Sequence, residues 1–168
     1  MRRVVVTGLG LLSSIGSDVN ETWSNIIKGR SGIKKIKFFD TTDIPCKIAG
    51  FISHDEGDEF YLDRSKFLET REINRNDRFI QYGLIAAKMA VEDSGINFLS
   101  DESKLRVGVS IGSGIGGLET IYNGSLTLNE KGPRKISPFF INLAATILFR
   151  IILIFFFSDN VGLFIPSP

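Results

Sequence analysis

The sequence is poor in the two side chains that most often carry chemistry. It has one cysteine, Cys46, and one histidine, His54, in 168 residues. A single thiol excludes an intramolecular disulfide framework and any multi-thiolate zinc site within the chain. A single imidazole leaves no histidine pair for a metal and no second ring for a catalytic relay. Net charge is lacking too: 20 Lys and Arg face 19 Asp and Glu, so nothing draws the chain electrostatically toward nucleic acid. What is present is a globular composition, 43% hydrophobic and 23% charged, with room for one domain of ordinary size.

Charge is scarcest toward the end. Residues 1–135 hold 37 of the 39 charged side chains, and beyond them only Arg150 and Asp159 occur. Half of the 14 Phe lie between Phe139 and Phe164, among them Phe155-Phe156-Phe157. Folded domains spread solvated charge along every amphipathic element. The sequence therefore divides into a body, residues 1–141, and a hydrophobic tail, residues 142–168.

Three origins compete for the tail. Residues 139–157 approach the roughly twenty needed to cross a bilayer, and each Leu, Ile or Phe favours insertion by about 0.3–0.6 kcal/mol. Arg150 opposes this by about 2.5–3.5 kcal/mol, so a membrane anchor stands as an alternative. A buried native element would leave Arg150 without a counter-charge nearby. Translation out of frame explains the composition most simply, because Phe, Ile and Leu codons abound in AT-rich DNA. The reading is thus a chain truncated or frame-shifted after about residue 141, with a membrane role set second.

The body alternates strand-like and helix-like stretches. Met1-Arg2-Arg3 and the apolar residues to Leu12 faintly resemble a signal peptide, but Thr7, Gly8 and Gly10 interrupt the core and no cleavage site follows. Val4-Val5-Val6 instead predicts a buried strand over 3–7 that enters a glycine turn. Asp18 or Asn20 caps a helix that carries Trp23, Ile26 and Ile27 on one face and stops at Gly29. Residues 30–45 read as loop or short extended pieces, 47–52 as a strand, and the charge-dense 53–76 as solvated helix and loop. The clearest helix starts at Asn76 or Asp77 and ends at Gly95. Its stripe is Phe79, Ile80, Gly83, Leu84, Ala87, Val91 and Ser94, while Gly83, Ala86, Ala87 and Ala90 permit close approach. A second buried strand is expected over 106–111, then a glycine corner, then a helix over 118–128 closed by a turn at Lys131-Gly132-Pro133. The alternation indicates an α/β fold with a mixed or parallel sheet.

Gly112, Gly114 and Gly117 satisfy G-x-G-x-x-G between a predicted strand and a predicted helix, the setting of a pyrophosphate site. The acidic residue that should close the next strand is missing, since Glu130 falls in a turn. A nucleotide-binding domain is kept as an alternative; the simpler reading is a corner where an acyl chain or another segment passes close to the backbone. Cys46 follows Pro45 and leads into a strand, away from any helix start that would lower its pKa. His54 sits in a polar loop. Ser13-Ser14 lack a G-x-S-x-G setting and a histidine partner. No catalytic constellation can be assembled, and no metal or cofactor is expected.

Several stretches together resemble the N-terminal part of a β-ketoacyl-[acyl-carrier-protein] synthase of the elongating, type II kind. They are Arg2 to Gly10, Thr22-Trp23, Gly29 to Ile33, Phe39-Asp40-Thr41, Ala49-Gly50, Asp77 to Gly83 and Glu92 to Gly95. Ile111-Gly112-Ser113-Gly114-Ile115-Gly116-Gly117-Leu118 and Gly132-Pro133-Arg134-Lys135-Ile136-Ser137-Pro138-Phe139-Phe140 complete the series. Their order and spacing over residues 1–140 make the resemblance specific.

The resemblance implies a thiolase-like, layered α-β-α-β-α fold, of which this chain is an incomplete N-terminal half. It implies a cytoplasmic enzyme of fatty-acid biosynthesis, an acyltransferase that works as a homodimer with acyl carrier protein. The family condenses acyl and malonyl thioesters by decarboxylative Claisen chemistry, using a cysteine nucleophile, two histidines and backbone N–H groups around the oxyanion. By the same resemblance Ile115 lies at the acyl pocket and gates chain length, and Phe140 lines the acyl tunnel beside the dimer partner. An apolar tunnel needs such side chains whatever its ligand. Cys46 and His54 match no catalytic position, so the chain is expected to be inactive alone. A half-domain also leaves inner apolar faces wet, at roughly 1.5–3 kcal/mol for each large side chain, so poor solubility is expected.

Overall fold

A computed structural model describes residues 3–96, 107–138 and 140. The chain divides into two compact units, Met1–Glu69 with Ile85–Gly95, and Thr70–Leu84 with Ile96–Pro168. Four α-helices, two short strands and two 3-10 turns are present among the described residues.

In the first unit, α1 spans Val19–Ile27. Asp18 is its N-cap: the extended backbone there lets the carboxylate accept from the Glu21 N–H at 2.8 Å. Glu21 answers by accepting from the Ser17 N–H and hydroxyl at 2.6 and 2.9 Å, a reciprocal arrangement akin to a capping box. Buried Asn25 donates to the Ile15 carbonyl at 2.7 Å, and the Thr22 and Ser13 hydroxyls lie 2.9 Å apart. These polar contacts fix the helix against residues 13–16. Trp23, Ile26 and Ile27 do share a face, as the spacing predicts, but that face is exposed.

Strands β1, Ile33–Lys35, and β2, Ile48–Gly50, pair antiparallel, with Lys34 opposite Ala49. The loop that follows is tied to them through Asp58. Its carboxylate accepts from the Ser53 hydroxyl at 2.5 Å and from Lys37 at 3.1 Å, and meets Lys34 at 3.4 Å. Lys34 also sits 4.8 Å from the centre of the Phe51 ring, whose edge meets Phe38. A 3-10 turn, Arg64–Lys66, is capped by Asp63.

Helix α3, Arg78–Ser94, supplies Ile85–Ser94 to this unit. Ile85, Leu62 and Leu68 are its buried apolar residues. The segment Gly8-Leu9-Gly10 runs against the small side of α3. A Cβ at Gly8 would overlap the Ala90 carbonyl oxygen, and one at Gly10 the Ala86 carbonyl oxygen. Leu9 N–H donates to the Asp93 carboxylate at 2.8 Å, and the Lys88 ammonium donates to the Phe67 carbonyl. The close approach foreshadowed by Ala86 and Ala90 is therefore made, by a glycine segment. Gly95 ends the helix at φ +62°, where only glycine is unstrained.

In the second unit, α2, Thr70–Arg75, turns into the first seven residues of α3. Buried Gln81 locks that corner by donating to the Ile73 and Asn76 carbonyls at 2.9 and 2.7 Å. Helix α4, Leu118–Lys131, ends at Gly132, whose φ of +78° leads into the 3-10 turn Pro133–Lys135.

Two expected strands fail to form. Residues 3–7 form no strand, and Val4 is 94% exposed with Val5 and Val6 also open. Residues 107–111 are likewise irregular, and Val107 is exposed. The reason is common to both: a strand exists only through a neighbour that takes its N–H and C=O groups, and these stretches have none among the described residues. For the same reason the one sheet among the described residues is an antiparallel pair, not the mixed or parallel sheet expected. Residue 106 and the tail, 142–168, lie outside the described residues.

Two measurements follow. Gly10→Ala forces the Ala86 carbonyl to move and should destabilise the chain by on the order of 1–3 kcal/mol in urea unfolding. An unchanged midpoint would refute the tight seam. Asp58 provides the second. The Ser53 hydroxyl and the Lys37 ammonium lower its pKa from the ordinary 3.8 to about 2. A depressed carboxylate stabilises the fold above its unfolded pKa, and that contribution fades as pH falls toward the folded value. Asp58→Asn should therefore lower stability near pH 6 and make little difference near pH 2, read as the gap between the two urea midpoints.

Candidate functional site

The glycine corner, 112–117, joins irregular residues 107–111 to α4. Gly116 adopts φ +81°, and its N–H donates to the Ser113 hydroxyl at 3.1 Å. Gly112 and Gly114 have open space where a Cβ would stand, so neither is demanded by crowding within the described residues. Gly117 is buried at the N-cap of α4 and offers no side-chain cap, so the helix start is held by backbone bonds alone at this residue. Ile115 projects from the corner and is 68% exposed.

Phe140 is half-buried against α4. A Cβ at Gly124 would overlap the Phe140 ring, so the ring occupies the place a side chain would take on that turn of the helix. Around it lies a cleft of about 310 Å³ lined by Thr120, Gly124, Thr127, Ile136 and Ser137 among others. Ile115 is not among the lining residues. Both residues singled out from the sequence thus belong to the unit that contains α4, but this cleft is built around Phe140 alone. Gly124 was missed by sequence reasoning; its signal was a glycine inside an otherwise good helical stretch, which points to close packing.

The remaining candidates do not converge. Cys46 is exposed, and its thiol donates to the Ile48 carbonyl at 3.3 Å. His54 is half-buried, not simply solvated, with Nδ1 3.2 Å from the Leu62 carbonyl oxygen. A carbonyl only accepts, so this bond requires the proton on Nδ1. Both bonds end on main-chain carbonyls and neither joins thiol to imidazole. Ser13 is spent on Thr22 and the backbone of 15–16. Among the described residues no group of three His, Cys, Asp or Glu is placed to hold a metal. Glu130 lies within α4 and not at the end of a following strand, so the partner a dinucleotide ribose would need is absent there. No helix among the described residues is long and apolar enough to cross a membrane.

The family model described as beta-ketoacyl synthase, N-terminal domain, matches residues 1–155, a stretch that runs past residue 141. The 3-oxoacyl-[acyl-carrier-protein] synthase 2 of Vibrio cholerae is 45% identical over 140 residues, covering 83% of this chain and 32% of that protein. Its counterpart from Rhizobium meliloti is 43% identical over 150 residues, covering 86% and 36%. The chain thus spans about a third of the length of the curated relatives it matches. Among solved structures, the ishigamide ketosynthase/chain length factor superposes with a TM-score of 0.70 at 24% identity, over 91% of this chain and 36% of that one. A type II polyketide ketosynthase, solved in complex with its acyl-carrier protein and bound to a hexaketide, gives 0.69 at 22%, over 95% and 40%. These likenesses show the fold, a partial α/β unit of the thiolase-like ketosynthase kind. The glycine corner, the helix it feeds and the Phe140 seat therefore stand in a chain that belongs to the beta-ketoacyl synthase family and matches its N-terminal domain.

Proposed function

We propose that these residues are the N-terminal part of a 3-oxoacyl-[acyl-carrier-protein] synthase of fatty-acid biosynthesis and that they build the acyl-binding side of its active site. The observation that carries the reading is the match of residues 1–155 to the family, joined to the unbroken Ile111–Leu118 corner and the seat that Gly124 leaves for Phe140. In this reading Ile115 is the pocket residue that limits acyl length, and Phe140 walls the tunnel beside a second copy of the enzyme. An acyl chain is held there by burial of its methylenes, each worth about 0.8 kcal/mol, so one protruding branch can decide which chains fit. Acyl carrier protein delivers the substrate, and the assembly works in the cytoplasm.

The condensation itself lies outside the chemistry of these 168 residues. A Claisen step needs a thiolate to carry the acyl group and donors to hold the malonyl enolate. Cys46 is exposed on a loop with its thiol donated to the Ile48 carbonyl, which is not a general base. His54 is held by the Leu62 carbonyl. The nucleophile and the two imidazoles must come from polypeptide other than these residues.

Grafting residues 1–140 into the Vibrio cholerae synthase 2, in place of the segment they match, tests this. The chimera should release carbon dioxide from malonyl-carrier protein and elongate acyl-carrier protein, while the purified 168-residue chain does neither. Turnover by the isolated chain, or a folded chimera that cannot elongate, would overturn the proposal. In the chimera Ile115→Phe should depress kcat/KM for long acyl groups by about tenfold or more relative to short ones. Gly124→Ala supplies a further check. Alanine ordinarily stabilises a helix interior by about 0.5–1 kcal/mol over glycine. Here it should lower the melting temperature, because the new methyl group displaces Phe140.

A further inference from the structure

A side chain on a glycine-rich corner is placed only as well as the elements at its ends. The corner that carries Ile115 has four glycines, Gly112, Gly114, Gly116 and Gly117, and among the described residues its internal tie is the bond between Ser113 and Gly116. The start of α4 is therefore what sets the corner, through bonds from Leu118 N–H to the Gly116 carbonyl at 3.0 Å and from Ile121 N–H to the Gly117 carbonyl at 2.9 Å. That start carries no side-chain cap of its own. It is held from outside instead. The Thr120 hydroxyl, in the first turn of α4, donates to the Asp77 carboxylate across 43 residues of sequence. Beside it, Glu119 faces Arg78 at 3.8 Å, an exposed and weaker pair.

Asp77 is itself fixed. Its carbonyl accepts from the Gln81 N–H at 3.1 Å at the head of α3, and the Gln81 side chain locks the preceding corner. We infer that Asp77 is a positioning residue for Ile115: it ties the first turn of α4 to the rigid head of α3, and so sets where the gating side chain stands. Its carboxylate lies beside the N-terminal turns of both helices, where the positive ends of the two dipoles favour it. The inference rests on the reading of Ile115 as the acyl-length gate, and it adds a specificity-determining contact that does not touch the acyl chain.

Hydrogen exchange on the full 168-residue chain reads the clamp directly. Asp77→Ala and Thr120→Val should each raise exchange several-fold across 112–121 and leave α1 unchanged. Asp77→Asn should restore protection, because its amide oxygen accepts the same hydroxyl. Thr120→Val keeps the contact testable if Asp77→Ala does not fold. In the chimera described above, Asp77→Ala should shift the long-to-short ratio of acyl kcat/KM several-fold without changing malonyl decarboxylation, and Asp77→Asn should not. Unchanged exchange at 112–121, or an asparagine variant as disruptive as alanine, would overturn the clamp. If both lose the acyl-length ratio equally, the hydrogen bond is not the cause and the inference fails. Should Ile115→Ala leave the acyl profile untouched while Asp77→Ala still loosens the corner, the gate reading falls and the clamp stands.

Discussion

The first unit depends on a place where two backbones nearly touch. Gly8 and Gly10 lie so close to α3 that the Ala90 and Ala86 carbonyl oxygens stand where side chains would go. At that separation dispersion contacts are dense and any added methyl group must strain one partner. The Asp93 carboxylate then takes the Leu9 N–H at 2.8 Å, an exposed bond that adds a polar tie to the same seam. The small residues of α3 matter because they leave this groove, and the two glycines because they fill it without excess.

Helices were legible in the sequence because their causes are local. Asp18 caps α1 and Gly95 ends α3 with a positive φ, each within a residue or two of the expected boundary. Helix α4, by contrast, runs to Lys131, three residues past the expected Leu128 and through Glu130, which the sequence places in a turn. Ile80 and Leu84 of the expected stripe are fully buried. Gln81 and Ile85 are buried too, although they lie off that stripe. Gln81 is drawn inward by the carbonyls it satisfies at the α2–α3 corner, a tertiary demand that no hydrophobic period encodes. Strands were legible only where their partner is near in sequence. β2 forms within the expected 47–52 strand because β1, in a stretch that reads only as loop or short extended pieces, lies thirteen residues before it, whereas 3–7 and 107–111 carry the composition of strands without a described neighbour.

The site divides in the same way. Neither Ile115 nor Phe140 can be given a role by composition, periodicity or spacing; both were reached through the family resemblance. The seat for Phe140 had a sequence trace in Gly124. The Asp77–Thr120 bond had none, since a threonine in a first helical turn and an aspartate before another helix are each ordinary capping-region residues. What joins them is the path of the chain between, and that path is a property of the fold.

The open valines at the beginning of the described chain have a consequence for concentrated solutions. Val4 is 94% exposed, Val5 and Val6 are exposed beside it, and nothing among the described residues covers them. Successive β-branched side chains on an uncovered stretch offer a template to which another strand can add. Self-association through this stretch therefore rises with concentration, at the expense of the folded monomer.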